Sequence, residues 1–177
     1  MSAYCAEEGG LYMLLLEKEQ EKENKIDRNE LEFQLLRLQN DMKQIAKNYD
    51  VIGVDQTKED NIVIVYKSEQ LDQCKIMIND CESRYNGWDF SIDAIYEDEN
   101  TLHIGDIKGP ANKGYGSICM QYLKETASDK NIPTIKGDIA TRDWGHVDRL
   151  VHFYEKHDFE IELDPDNKCG KIEWKDC

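Results

Sequence analysis

The stretch from His103 to Lys130, HIGDIKGPANKGYGSICMQYLKETASDK, constrains this chain more than any other. It reads as a short strand ending near Ile107, a loop rich in glycine, and a helix opening at about Gly116. The apolar stripe of that helix runs through Ile118, Cys119, Tyr122, Leu123 and Thr126/Ala127. Gly114 and Gly116, next to Asn112, Lys113 and Ser117, let successive backbone N–H groups turn inward at the positive end of a helix, which makes a seat for phosphate. Glycines also serve ordinary strand-to-helix turns, so the downstream sequence has to decide between the two uses.

The elements around this stretch follow from hydrophobic period and turn residues. Tyr49 to Val54 and Asn61 to Tyr66 read as two strands of a hairpin, joined by the polar turn Asp55 to Asp60. Leu71 to Asn79 is open between a third strand and a short helix. Trp88 to Glu97 alternates as a half-buried strand, with Trp88, Phe90, Ile92, Ala94 and Tyr96 on one side and Ile95 as the exception on the other. A turn at 97–100 makes it the antiparallel neighbour of the strand 102–107. Beyond the loop helix, Asn131 and Pro133 stop the coil and Thr134 to Ala140 forms a strand. His146 to His157 is a helix that Thr141 or Asp143 could cap. Phe159 to Leu163 and Cys169 to Lys175 then form a terminal hairpin around Pro165. Antiparallel strands followed by a strand–helix–strand–helix unit predict an α+β (mixed α/β) chain with a central mixed, mostly antiparallel sheet flanked by helices.

The N-terminal third is less specific. Leu11 to Leu16 suits either a first strand or the start of a helix. Glu17 to Asn48 contains neither Gly nor Pro and predicts an extended helix, with Leu31, Leu35, Leu38, Met42 and Ile45 on one stripe. That stripe serves a helix packed on its own sheet, or one that pairs with a partner, including a homodimer through the N-terminal helix. At 177 residues the simplest count is one domain, 1–177, with 1–26 a helical or frayed extension.

Lys plus Arg number 22 against 37 Asp plus Glu, a formal charge of -15. Such a surface repels nucleic acid and anionic membranes and attracts cationic partners, so an anionic ligand must find local donors. The six cysteines show no paired motif, which favours reduced thiols and a cytoplasmic protein. The run Leu11 to Leu16 is too short for a signal peptide or a membrane span. His146, His152 and His157 lack the three- or four-residue spacing of a helical metal pair, so no metal is expected.

The loop resembles the acyl-CoA loop of the GCN5-related N-acetyltransferase (GNAT) family, in the register Ala111, Asn112, Lys113, Gly114, Tyr115, Gly116. Ala111 departs from the family's Arg or Gln. A second match is FYEKHDF at 153–159, which is similar to the family's late helix and the strand after it, with Asp158 where Gly is usual. The match covers about residues 100 to 163. The resemblance implies a GNAT-like acyl-CoA N-acyltransferase fold and transfer of an acetyl group from acetyl-CoA to a primary amine by direct attack in a ternary complex. It further implies that amides around Ile107 and Gly109 pair with pantetheine, that the loop from Asn112 to Ser117 holds pyrophosphate, and that Tyr154 donates to the departing thiolate. Ala111, Asp158 and the acidic helix leave open an alternative, a non-catalytic CoA-binding or regulatory module on the same fold.

The group that takes the amine's proton is not fixed by the sequence. His103 has the residue type best suited to proton transfer near neutral pH, and Asp106 suits binding of a cationic amine. Asp138, on the neighbouring strand, is a further acceptor. Regular alternation puts His103, Gly105 and Ile107 on one face and Leu102, Ile104 and Asp106 on the other, so His103 and Asp106 are expected to point opposite ways.

Overall fold

The computed structural model describes residues 28–81 and 86–176. The expectations for Leu11 to Leu16, for 17–27 and for Tyr85 lie outside them. The chain divides into two compact units, Met1–Asn40 and Asp41–Cys177. Residues 28–45 are helical (α1). In the first unit Leu31, Phe33, Leu35 and Leu36 of this helix are exposed; in the second, Asp41 and Ile45 are buried.

The second unit continues with β1 (Asp50–Gln56), β2 (Ile62–Gln70), β3 (Gln73–Asn79), β4 (Phe90–Asp98) and β5 (Thr101–Lys108). Helix α2 (Tyr115–Asp129) and β6 (Thr134–Ile139) follow. A 3-10 turn (Thr141–His146), α3 (Val147–Glu155), β7 (Glu160–Asp164) and β8 (Cys169–Lys175) complete it. All eight strands join one sheet in the order β1-β2-β3-β4-β5-β6-β8-β7. The β5–β6 pair is parallel and the others are antiparallel. A parallel pair needs a crossover, and α2 supplies it. The open choice for 71–79 resolves as strand, because β3 has β2 on one side and β4 on the other to satisfy its backbone.

Residues paired across strands share a face of the sheet. One face carries Val65, Ile78 and Phe90 in one row, Ile76 and Ile92 in the next, and Cys74, Ala94 and Ile104 in a third. Helix α2 covers it with Ile118, Cys119, Met120, Leu123 and Ala127, and α3 adds Tyr154, so that these residues form one apolar cluster. Tyr122, expected in the stripe, is only half-buried. The other face is apolar near β2 and β3, where Tyr66 pairs with Met77, and polar toward β4–β6, where Lys75 pairs with Asp93 and Asp93 with Asp106.

Two irregularities shape that polar region. The β4–β5 register steps from Ala94↔Ile104 to Asp93↔Asp106, which leaves Gly105 as an extra residue in β5. This bulge resets the alternation. Ile107 pairs with Ile92 on the α2 side, while His103, paired with Ile95, shares the opposite face with Asp106. The expectation that His103 and Asp106 point opposite ways is thereby corrected, since it assumed one-to-one pairing. The second irregularity is a fork. Pairing of β5 with β6 ends at Ile104↔Gly137, although β5 runs on to Lys108 and β6 to Ile139. One edge of residues 105–108 therefore has no strand partner among the described residues.

The connection before α3 also differs from expectation. Neither Thr141 nor Asp143 caps a helix: the residues at the N-caps are Ala140 and His146, without side-chain capping bonds. The 3-10 turn meets the need instead, through the Asp143 N–H donating to Ala140 O at 2.9 Å.

Candidate functional site

The loop leaving β5 turns through three left-handed residues, Gly109 (φ 136), Asn112 (φ 63) and Gly114 (φ 83). Gly114 is the N-cap of α2, with no side-chain capping bond and no acidic residue in the first turn. The first amides of a helix have no acceptor within it, so this terminus presents donors and partial positive charge to whatever lies in front of it. One of the expected donors is engaged locally: the Ser117 N–H donates to Gly114 O at 3.1 Å, as does the Ile118 N–H at 3.3 Å. The Tyr115 side chain turns away into the core, 2 % exposed, where its hydroxyl donates to Asp80 Oδ2 at 3.1 Å. Gly116 is closely packed: a Cβ there would lie 3.1 Å from the Phe153 ring and 3.3 Å from Phe90, so those rings would have to shift by a few tenths of an ångström to admit it.

In front of the loop lies a groove of about 1010 Å³. Its walls are the β1–β2 turn (Asp55 to Lys58), Ile107, the loop from Pro110 to Gly114, the outer side of α2, and α3 with the turn before it. Five of its side chains are cationic (Lys58, Lys113, Lys124, Arg149, Lys156) and four are carboxylates (Asp55, Glu125, Asp129, Asp143). Against 22 and 37 for the whole chain, this is a local reversal of charge balance that lowers the cost of holding an anion. Lys156 Nζ donates to Ser117 Oγ at 2.8 Å, which ties α3 to the first turn of α2.

Of the expected cofactor residues, Ile107, Asn112, Lys113, Gly114, Gly116 and Ser117 line the groove. Gly109 forms the turn behind it. The sequence reading missed Lys58, Arg149 and Lys156. Arg149, Phe153 and Lys156 recur at spacings of four and three, the signature of one helix side, and could have been read that way.

The three expected catalytic residues are not among those lining the groove. Tyr154 packs its ring 5.2 Å from Phe153 and 5.4 Å from Phe159. Burial, helped by the charge of Asp143, pushes its phenol up to about 12, so it stays protonated at neutral pH. His103 and Asp106 lie beside the fork on the sheet face opposite α2. The Asp106 carboxylate accepts the Ile107 N–H at 3.0 Å and stands 3.2 Å from Lys108 Nζ and 3.8 Å from Arg142. Any ligand that pairs with the Ile107 amide must displace that first bond.

His157, at the end of the groove, gives a pH prediction. Desolvation first, then the charges of Lys156 and Lys124, push its imidazole down to about 4, and Nε2 is buried with no hydrogen-bond partner among the described residues. The unfolded chain takes up this proton near 6.5, while the folded chain resists until about 4. In that window the unfolded state binds more protons, so stability is full above about pH 6.5 and is lost as pH falls. Allowing for solvent screening of a half-exposed ring, the loss between pH 7.5 and pH 5 is about 1 kcal/mol. Urea unfolding at both pH values measures it. His157→Phe, which keeps the ring near Phe153 and removes the titration, is expected to flatten that difference.

No protein-family model matches the chain. Among solved structures, the GNAT domain of S. lividans PAT superimposes with a TM-score of 0.55 at 4 % identity, covering 70 % of this chain and 96 % of that one. A cAMP-binding acyltransferase from Mycobacterium smegmatis, as its E234A mutant, gives 0.57 at 9 % identity, over 75 % of this chain and 50 % of that one. The fold is thus GNAT-like: a central, mostly antiparallel sheet flanked by helices, with an N-terminal helix. Among the described residues no helix is long and apolar enough to cross a membrane. In sequence, the chain is 49 % identical over 165 residues to the uncharacterized protein YocC of Bacillus subtilis (strain 168), covering 93 % of this chain and 99 % of that protein. With that identity across nearly the full length of both, the chain belongs to the YocC family.

Proposed function

We propose that the protein binds acetyl-CoA in the groove in front of α2 and transfers the acetyl group directly to a primary amine. One observation carries this reading: a groove of about 1010 Å³ in which an uncapped helix terminus, the left-handed loop 109–114 and the cations Lys113, Arg149 and Lys156 converge, in a chain of net charge -15. The backbone amides at the start of α2, with Lys113, hold the pyrophosphate. Arg149 of α3 and Lys156, at its C-cap, neutralise further phosphate charge. The unpartnered edge of β5 beyond Ile104 offers backbone groups to the amide-bearing pantetheine arm, and Ile107, which lines the groove, joins the two regions. Tyr154 packs in the same apolar cluster as Ile104 and Ile139, which flank the fork, and its protonated phenol serves as donor to the leaving thiolate. Acetyl-CoA, when bound, supplies the activated thioester.

Calorimetric titration with CoA tests the groove. The double variant Arg149→Ala/Lys156→Ala is expected to bind at least roughly tenfold more weakly, the loss typical of removing charge-assisted contacts to phosphate. No heat from the unaltered protein at millimolar CoA, or equal affinity in the double variant, would remove the groove from the proposal.

A second reading is favoured by Ala111 at the loop's first position and by the placement of Tyr154 outside the groove walls: a CoA-binding module without transferase chemistry. Release of free thiol from acetyl-CoA with a panel of amines separates the two readings.

A further inference from the structure

Resting on the acetyl-CoA reading above, we propose that Asp80 is a positioning residue for the CoA site: it holds the Tyr115 hydroxyl and so fixes the start of α2 from behind, without touching the ligand. The need for such a hold follows from the chemistry of the terminus. A Ser, Thr, Asp or Asn at an N-cap steadies the first turn of a helix by accepting its free amides. At α2 the N-cap is Gly114, in left-handed backbone and with no side-chain capping bond. A side-chain cap there would take up amides that an anion has to use. The first turn must therefore be held by contacts that leave those amides open, which means contacts on the side away from the groove.

The junction between β3 and β4 supplies them. Tyr115 is the first residue of α2 and is 2 % exposed. Its ring meets Phe90 edge to face with centroids 6.4 Å apart, and its hydroxyl donates to Asp80 Oδ2 at 3.1 Å. Asp80 is braced in turn: its N–H donates to Asp89 Oδ2 at 3.0 Å, and the same oxygen accepts Asn79 Nδ2 at 3.3 Å. The Asp89 N–H donates to Ile78 O at 2.8 Å, which joins the end of β3 to the start of β4. The other end of the loop rests on the same corner, since a Cβ at Gly109 would lie 2.8 Å from Asp89 O and 2.5 Å from Phe90 Cδ2. The segment 109–115 thus stands with both feet on residues 80 and 89–90 and presents its middle to the groove.

The two feet restrain different things. Close packing at Gly109 fixes where the chain leaves β5. The bond between hydroxyl and carboxylate acts at the far tip of a stiff side chain, so it fixes the direction of the first turn of α2. Hydrogen bonds to a charged acceptor are among the stronger ones, so this one can hold a terminus that lacks its own cap. A binding constellation needs its donors aimed to within about 0.5 Å. Loosening this foot therefore lowers affinity for the diphosphate and leaves the chemistry at the thioester as it was.

The experiment is calorimetric titration with CoA, well below the melting temperature, of the unaltered protein, Tyr115→Phe, Asp80→Ala and the double variant. Each single variant is expected to bind CoA about tenfold more weakly. The double variant should bind no more weakly than either, because one bond cannot be lost twice. In thiol-release assays the KM for acetyl-CoA should rise by the same factor with kcat at saturation unchanged. Native-state hydrogen exchange without ligand should quicken at the Ser117 and Ile118 amides, which donate to Gly114 O. A merely structural role would lower the melting temperature and leave the affinity of the folded protein where it was. Unchanged CoA affinity in Tyr115→Phe overturns the proposal, and so do additive losses in the double variant, which would mean that the two residues act separately. Tyr115→Phe keeps the ring beside Phe90 and decides the matter alone should Asp80→Ala fail to fold. Failure of the unaltered protein to bind CoA overturns the reading beneath, while exchange at Ser117 and Ile118 still tests whether Asp80 holds the start of α2.

Discussion

Gly109→Ala is expected to lower stability by about 3 kcal/mol or more. Two costs combine at this position. The backbone sits at φ 136, where an L side chain is strained by about 1–3 kcal/mol. A Cβ would also lie 2.5 Å from Phe90 Cδ2, 2.8 Å from Asp89 O and 3.0 Å from Phe90 Cα, and two of those contacts are backbone atoms that cannot swing aside. Relief of such overpacking typically costs a further 1–3 kcal/mol. For a chain of this size the melting temperature should fall by about 10 °C. Gly145→Ala is the control, because a Cβ there meets nothing within 4 Å. Urea unfolding of the pair measures the difference, and equal stability of the two variants would show that the loop relaxes at little cost. Since Gly109 sets the direction in which the chain leaves β5, weaker CoA binding is expected alongside the loss of stability.

Tyr154→Phe should lower the rate of acetyl transfer by about 100-fold with little change in CoA affinity, if general-acid help of the usual size is lost. The ring contacts with Phe153 and Phe159 survive this change, so the melting temperature should move little. The contrast with Tyr154→Ala is informative. That variant opens a cavity in the apolar cluster beside Phe159 and should cost about 3–5 kcal/mol. A phenylalanine variant with normal turnover would show that Tyr154 is there to fill the core, as its burial alone would suggest, and that the thiolate takes its proton elsewhere.

The loop and its helix were legible because their signal is local. Glycines at 109 and 114 answer a need of their own short segment, left-handed backbone, whereas the neighbours a Cβ would meet at Gly116 come from distant elements, Phe153 and Phe90. The apolar period from Ile118 to Ala127 predicted which side of α2 is buried, except that Tyr122 is only half-buried and Met120, outside that stripe, is fully buried. The strands on either side were legible for the same reason, since alternation along Phe90, Ile92 and Ala94 reports one buried face. The 3-10 turn at Thr141 was not, because its own backbone bond satisfies the chain where capping residues would otherwise be needed.

What the sequence determined by itself is therefore most of the elements, their order, and the presence of a glycine-bearing loop at a helix start, all of which follow from steric and hydrophobic preferences within a few residues; it left 71–79 open between strand and helix and did not mark the 3-10 turn. Only the tertiary structure decided which side chains meet. The bulge at Gly105 turned Asp106 onto the face of His103, the fork after Ile104 brought Asp138 within reach of the imidazole, and packing of α3 carried Lys156 to Ser117, 39 residues earlier in the chain. Register, strand parting and helix docking are settled by how separate segments share one core, and no local pattern of residues encodes that balance.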